Sequence, residues 1–377
     1  MLTSRGLTVA QGPTLIVHLT DVFAPRVGGI EVLVESLARA QAAVGEEVHV
    51  ITATVGGSDS HLPFRVHRPR RMTDVRSILR RLRPSVVHIH VSVASPLALY
   101  SAHHALRLSI PLVITVHSMW DPAVRACYSV IERLSGWHDG MVVTAVSTVV
   151  ADQVGRALSS TPVVVPNAVA SDLWRAPSAS GTDLHVVSVG RLVTRRQPLT
   201  LLEVLRLAQD RLAGEVRVRA TIVGSGPRRG AMLRYLRRHD MVEWVRLVGS
   251  QDHRAVREIL SSADVYLNVT RREAFGLATL EARTAGVPVI ARSGTGVADF
   301  VEDGREGLLG RSTEDLVTAL VSLGRRRTLR ERISAHNRAV PPAEFSWPVV
   351  LDRLRTCYDD AARRVVAGPS HGEDALR

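Results

Sequence analysis

The stretch from Ala263 to Ser293, ADVYLNVTRREAFGLATLEARTAGVPVIARS, constrains the fold of this chain more than any other. An apolar, β-prone run from Ala263 to Val269 gives way to Arg271, Arg272 and Glu273, and then to helix-forming residues from Leu277 to Ala285. Gly286 sits where a helix C-terminal glycine belongs, Pro288 blocks further helix, and Val287 to Ala291 reads as the next buried strand. A strand, a helix and a second strand in so short a span form a βαβ crossover. That unit demands a parallel sheet covered by helices.

Two carboxylates occupy unusual places in this unit. Glu273 lies in the loop before the helix and Glu281 about one turn inside it, with Phe275 and Gly276 at the junction. A helix N-terminus offers unpaired N–H groups and partial positive charge, which suits a diphosphate, and Gly276 lets the backbone approach such an anion. Glu281 could accept two hydrogen bonds from a ribose diol, and Glu273 could accept one from a sugar hydroxyl. A nucleotide sugar would use all of these features. On the residues alone, an ordinary first-turn acid at Glu273 and a solvated helix face at Glu281 explain them equally well.

Glu273 and Glu281, with seven residues between them and Phe275-Gly276 among those, resemble the paired-glutamate motif of the retaining GT-B glycosyltransferases of family 4. The run AGVPVIARSGTGVADFVEDGREGLL, Ala285 to Leu309, is similar to the same family almost position by position. The resemblance implies that Glu281 holds the donor ribose and Glu273 the donor sugar. It also implies that the backbone of Phe275, Gly276 and Leu277 faces the diphosphate.

At 377 residues with 45% hydrophobic content, the chain is long enough for two cores. All 48 basic residues are arginine, and the net charge is +12. With no lysine, a Schiff-base enzyme, a pyridoxal-phosphate enzyme and the usual lysine-containing P-loop are excluded. Cys127 and Cys357 stand far apart, without a motif, and indicate a reducing compartment. The first apolar run, Thr14 to Leu19, is too short for a signal segment, and the apolar region Val86 to Val116 is interrupted by Pro, Arg and His. The expected location is therefore cytoplasmic. Aromatic residues at 4% and basic residues spread along the chain argue against a nucleic-acid partner.

Taken in order, Met1 to Gly12 reads as a polar leader and Thr14 to Thr20 as a strand, followed by the loop DVFAPRVGG and a helix from Ile30 to Ala43. The spacing is not GxGxxG, so a dinucleotide oxidoreductase is disfavoured. The loop resembles the family's PxxGG element, which implies that Gly28 and Gly29 lie near the reacting sugar; a plain turn is the alternative. Between Arg65 and Pro84, Val75, Ile78, Leu79 and Leu82 recur at helical spacing among Arg68, Arg70, Arg71, Arg76, Arg80, Arg81 and Arg83. Such a face can lie on an anionic membrane surface, receive a phosphorylated acceptor, or simply be solvated. By resemblance to relatives that act on lipids, Arg70, Arg71, Arg76 and Arg80 would face the acceptor or membrane side, which places the chain peripherally on the inner face of the plasma membrane.

Ser85 to Val91, SVVHIHV, is a buried strand with His88 and His90 on one face; no third metal ligand is evident, and no metal is expected. The strand resembles the family's VVHxH element, which implies that His90 lines the acceptor side. Pro111 to His117 is a further strand, and ligands sit beyond the carboxyl ends of strands in open α/β sheets. The resemblance puts His117 beside the anomeric centre of the donor; a core histidine is the alternative. Val163 to Trp174 is similar to the family's linker signature, with Ala168 and Ala170 where glycine and aspartate are usual. In GRLVTRRQP, Gly190 to Pro198, the resemblance makes Arg191 and Arg196 the diphosphate clamp, with arginine at 196 where the family carries lysine. GSGP, Gly224 to Pro227, matches the loop beside the nucleotide, which implicates Gly224 and Gly226.

These readings give an α/β protein of the GT-B class, with two doubly wound Rossmann-like domains facing an interdomain cleft. The expected divisions are an acceptor-side domain at 1–175, a nucleotide-sugar domain at 183–345, a helix at 346–366 crossing back to the first domain, and a disordered tail at 367–377. The expected activity is retaining transfer of a sugar from a UDP- or GDP-sugar to an acceptor hydroxyl on a lipid-linked or cell-envelope precursor. No cofactor or metal is required. A soluble metabolite acceptor is the alternative, and a nucleotide-sugar epimerase or a non-catalytic nucleotide-sugar binder are the further ones.

Overall fold

A computed structural model describes residues 14–26, 28–135, 140–174 and 183–367. The leader, the linker from Ala176 to Thr182 and the tail from Gly368 lie outside the described residues. The chain divides into two compact units: the first comprises Met1–Thr144, Val154–Val163 and Leu351–Arg377, and the second Ala145–Gln153 and Val164–Val350.

The first unit is built on seven strands, β1 (Leu15–Thr20), β2 (Glu47–Thr52), β3 (Arg65–His67), β4 (Val86–Val91), β5 (Leu112–Val116), β6 (Met141–Ala145) and β7 (Val163–Val164). Their order is β3-β2-β1-β4-β5-β6-β7. β4 is buried at all six positions, as a strand with helices on both faces must be. The register sets His18 of β1 beside His88 of β4, and Thr20 beside His90. The β1–β4 neighbourhood is where the strand order reverses, the place at which an open sheet leaves a crevice.

The second unit has six parallel strands, β8 (Leu184–Val189), β9 (Val218–Val223), β10 (Val245–Gly249), β11 (Val265–Asn268), β12 (Val289–Arg292) and β13 (Gly307–Gly310), in the order β10-β9-β8-β11-β12-β13. Its core joins Leu184, Val186, Leu202, Leu205, Ile222, Val265, Leu267 and Leu320, with β-sheet residues interleaving those of the helices Pro198–Leu212 and Thr313–Arg325. Burial of this apolar surface, at roughly 25 cal/mol per Å², is what fixes the helices to the sheet. The order reverses between β8 and β11, so the loops after Val189 and after Asn268 open at one switch point.

The elements agree with the sequence pattern to within a few residues. The crossover strand is shorter than the apolar run that announced it, β11 beginning at Val265 and β12 at Val289, because Val287 and Pro288 complete the turn out of the helix. The terminal helix, Trp347–Ala367, passes from the second unit to the first at Leu351.

Candidate functional site

At the switch point of the second unit, the loop after β11 carries Glu273 to the start of the helix Leu277–Thr284. The Glu273 carboxylate, 6% exposed, is neither a solvated acid nor a helix cap: it meets the Arg196 guanidinium and accepts a hydrogen bond from the Asn268 side-chain amide at 3.3 Å. Asn268 also donates to Thr279 Oγ1 at 3.0 Å, and the Glu273 carbonyl accepts from the Gly296 N–H at 2.9 Å. These ties hold the loop before any ligand arrives. Phe275 anchors it from below, its ring packed against Phe300 and Phe345 with centroids 5.2 and 5.9 Å away. Ser147 Oγ closes the loop from another side through the Ala274 carbonyl at 2.5 Å.

Gly276 caps the helix with φ +94°, a left-handed conformation that a side chain disfavours, and an added Cβ would lie 3.0 Å from Val297 Cγ2 and 3.3 Å from Glu273 Cγ. No side chain caps this helix end; the Thr279 N–H turns back to the Gly276 carbonyl at 2.9 Å, so the N–H groups of Leu277 and Ala278 and the positive end of the dipole are left for an external anion.

The cationic wall comes from the loop after β8. Arg191 follows Gly190, Arg195 and Arg196 lie on the 3-10 turn Thr194–Arg196, and Arg272 approaches from the opposite loop. Partial removal from water, then the adjacent Arg195 and Arg191, pulls the Arg196 guanidinium down to about 10, so it stays charged at neutral pH. Like charges gathered at one place repel; a polyanion relieves that repulsion. Gly224 and Gly226 make the gathering possible. An added Cβ at Gly224 (φ +136°) would sit 1.9 Å from the Gly190 carbonyl, and one at Gly226 (φ +156°) 2.5 Å from the Leu192 carbonyl. The two loops are zipped by Leu192 N–H donating to the Ser225 carbonyl at 2.9 Å and Arg228 N–H to the Leu192 carbonyl at 3.0 Å.

Glu281 is 8% exposed, not on a solvated face. Burial pushes its carboxyl from 4.5 up to about 8. Its electrostatic neighbour is Tyr266, whose hydroxyl donates to the Val189 carbonyl at 3.2 Å and is itself pushed up to about 12, chiefly by burial. Thus the second unit brings Arg191, Arg196, Glu273 and Gly276 to one switch point. Asn268, Thr279, Arg195 and Arg272 join them, and the sequence pattern singles out none of these four as a site residue.

In the first unit, His117 follows β5 and donates its backbone N–H to the Val91 carbonyl at 2.9 Å. Its Nε2 lies 2.9 Å from His90 Nδ1. His90, expected to line the acceptor side, is 2% exposed, and its other nitrogen is bonded to His18 Nδ1 at 3.0 Å. His18 is also the third imidazole that was not evident beside His88 and His90, and ring nitrogens of the three lie within 4.8 Å of one another. Every nitrogen of these three rings already has a protein partner, however, through Gln41, Tyr358, Thr115 and His117. The cluster is a hydrogen-bond network, and a cation would have to break it.

Gly28 opens the helix Gly29–Ala43, and an added Cβ would meet Glu31 Oε2 at 2.4 Å; Glu31 is buried and paired with Arg26 at 3.3 Å. Gly29 borders open space. Arg70, Arg71, Arg76 and Arg80 are all exposed, flanking or on the helix Asp74–Leu82, which buries Val75 and Leu79 beneath them. Arg68 departs from this basic face: it is bound to Asp59 and to the Thr54 and Ala24 carbonyls, and acts as a tie between loops.

Comparison with known proteins agrees with this geometry. A model for "Glycosyltransferase Family 4" matches residues 27–173, and one for "Glycosyl transferases group 1" matches residues 183–325. The phosphatidyl-myo-inositol mannosyltransferase of Mycobacterium leprae is 29% identical over 89% of this chain and 94% of its own length. A phosphatidylinositol N-acetylglucosaminyltransferase protein of Arabidopsis thaliana is 25% identical over 94% of this chain and 84% of its own. Among solved structures, Anabaena HepE in complex with UDP and glucose superposes with a TM-score of 0.75, covering 92% of this chain and all of that one at 15% identity. Two parallel Rossmann-like sheets, each half matched by its own family model, place this chain in the group 1, family 4 glycosyltransferases of GT-B fold, and it is a glycosyltransferase.

Proposed function

We propose that the chain moves a sugar from a nucleotide diphosphate donor to a hydroxyl of a lipid-linked acceptor, with retention of anomeric configuration. The observation that carries this reading is the meeting of the Arg196–Glu273 pair, the arginine cluster and the uncapped helix end at one switch point. A diphosphate fits the cations and the free N–H groups, and Glu273, already oriented, accepts a hydrogen bond from the sugar. Glu281 receives the ribose diol.

In the reaction, the bond between the anomeric carbon and the phosphate oxygen breaks with its electron pair leaving on the phosphate. Arg191, Arg196 and the helix N-terminus stabilise that charge as it forms. The acceptor oxygen bonds to the anomeric carbon from the same face, and its proton passes to the departing phosphate oxygen. His117 borders the reacting sugar. Neither a protein nucleophile nor a metal is needed for this balance.

Two relatives named for phosphatidylinositol acceptors support the lipid reading, as does the exposed row Arg70, Arg71, Arg76 and Arg80, which suits an anionic headgroup surface. No helix among the described residues is long and apolar enough to cross a membrane. The test is thermal stabilisation by UDP, GDP and dTDP sugars, each against Glu281→Ala, followed by transfer to phosphatidylinositol in vesicles and determination of the product anomer. A shift of several degrees with one base, lost in the variant, supports the donor site. Stabilisation without transfer to lipid, but with transfer to a soluble acceptor, overturns the lipid part; no stabilisation by any donor overturns the whole.

A further inference from the structure

The buried polar network of the first unit runs without a break from a main-chain carbonyl to His117. Thr144 Oγ1 contacts the Ile114 carbonyl at 3.4 Å and Thr115 Oγ1 at 2.6 Å. Thr115 Oγ1 lies 2.6 Å from His88 Nε2, and His88 Nδ1 lies 2.9 Å from the Tyr358 hydroxyl. Tyr358 lies 3.0 Å from the Gln41 amide, whose other arm is 2.5 Å from His18 Nε2. His18 Nδ1 then reaches His90 Nε2, and His90 Nδ1 reaches His117 Nε2.

The direction of each bond follows from the first. A carbonyl can only accept, so Thr144 donates to Ile114 and, having a single hydroxyl proton, accepts from Thr115. Thr115 has then spent its own proton and accepts from His88 Nε2–H. The bare His88 Nδ1 accepts from the Tyr358 O–H, so the Tyr358 oxygen accepts from the Gln41 amide nitrogen. That orientation turns Gln41 Oε1 toward His18, which must carry its proton on Nε2. His18 Nδ1, now bare, accepts from His90 Nε2–H, and His90 Nδ1 accepts from His117 Nε2–H. This accounting holds with one proton per ring, and burial holds all four imidazoles neutral by lowering them well below 6.5, His18 to about 4 and His117 to about 3.

We propose that Gln41 and Tyr358 are positioning residues that lock His117 as its Nε2–H tautomer, leaving Nδ1 as a bare acceptor for a hydroxyl of the bound sugar or of the incoming acceptor. Nδ1 has no hydrogen-bond partner among the described residues. The opposite tautomer would present an N–H donor there and turn away the same hydroxyl proton, so a network far from the solvent decides which group the site can receive. The inference rests on the proposed placement of His117 beside the reacting sugar. It does not rest on the identity of that sugar. Tyr358 stands on the terminal helix, so the helix contributes a functional proton and not only apolar cover.

Long-range 1H–15N correlation on unliganded protein with 15N-labelled histidine, at pH 7.5, reports each ring's tautomer directly, with His117 assigned by its loss in His117→Asn. The expected wild-type result is Nε2–H at His18, His88, His90 and His117. In Tyr358→Phe and Gln41→Met, His117 should become a mixture of tautomers, and kcat should fall several-fold while KM for the donor changes less than twofold. A wild-type His117 protonated on Nδ1, or one that stays wholly Nε2–H in both variants, overturns the proposal even if sugar transfer is intact. The expected tautomers in a protein that transfers no sugar from any donor would instead defeat the functional reading and leave the lock standing.

Discussion

Replacing Glu281 with glutamine should stabilise the unliganded protein, and by an amount that depends on pH in a defined direction. Burial raises this carboxyl from 4.5 to about 8 in the folded unit. Between those values the native state keeps a proton that the unfolded state has released. Stability from this group is therefore fully present below 4.5 and lost as pH rises toward 8, at about 1.4 kcal/mol per pH unit. Glutamine has nothing to titrate. Near pH 5 the variant should lead by less than about 1 kcal/mol, whereas at pH 7.5 it should be the more stable by about 4 kcal/mol, or roughly 8–16 °C in Tm for a unit of this size. Calorimetry of both proteins at the two pH values, compared as a difference, cancels the opposing contribution of the buried histidines, whose lowered pKa values favour the native state as pH rises. A saturating nucleotide sugar should reverse the order at pH 7.5, because a carboxylate accepts both hydroxyls of a diol and an amide oxygen accepts with only one of its two arms. Parallel stability curves for the two proteins would refute the argument that Glu281 is held protonated by burial. An undiminished ligand shift in the variant would refute its role at the ribose.

Three further outcomes follow from other contacts. Glu273→Ala should lower kcat by a hundredfold or more, about 3 kcal/mol in the barrier, and combining it with Arg196→Met should cost much less than the sum of the two, since each change leaves the same pair broken; steady-state kinetics of the double-mutant cycle decides this. Gly224→Ala places a methyl group 1.9 Å from the Gly190 carbonyl at φ +136°, and should lose more than about 3 kcal/mol in urea unfolding; near-wild-type stability would mean that the Gly190 loop yields freely. Changing Arg70, Arg71, Arg76 and Arg80 together to serine should weaken binding to anionic vesicles on the order of 1,000-fold at low salt, at about 1 kcal/mol per charge, and leave binding to neutral vesicles unchanged; equal binding to both by the parent protein would rule out this face as the membrane contact.

The parallel sheets were legible in the sequence because buried strands and capped helices alternate with periods that local residues specify. The βαβ unit at 263–293 announced both its helix and the two acids beside it. The partners of those acids were hidden. Arg196 stands 77 positions before Glu273, and only the β8–β11 adjacency brings their loops together. Burial of Glu281 was equally invisible, since the helix Leu277–Thr284 is buried on successive residues from Thr279 to Thr284 and has no solvated stripe for periodicity to detect. Nothing in the sequence marks His18, which only the parallel register places opposite His88, and Tyr358 lies 317 positions from Gln41. In each case the missing information is long-range pairing, which composition and spacing do not carry. The glycines of GSGP illustrate a subtler loss: a tight turn was readable, but a carbonyl oxygen pressed against the Cα of Gly224 was not.

The passage of the terminal helix from one unit to the other at Leu351 has a consequence for the order in which the molecule can be made. The second unit draws nearly all of its chain from one continuous length, Val164–Val350, and has its full complement of strands before the ribosome reaches the last helix. The first unit begins to emerge earlier but waits for residues from Leu351 onward to supply Tyr358 and the apolar face around Leu351, Leu354 and Ala361. Until then the Tyr358 hydroxyl that joins His88 to Gln41 is missing, and the part of the protein synthesised first is the part finished last.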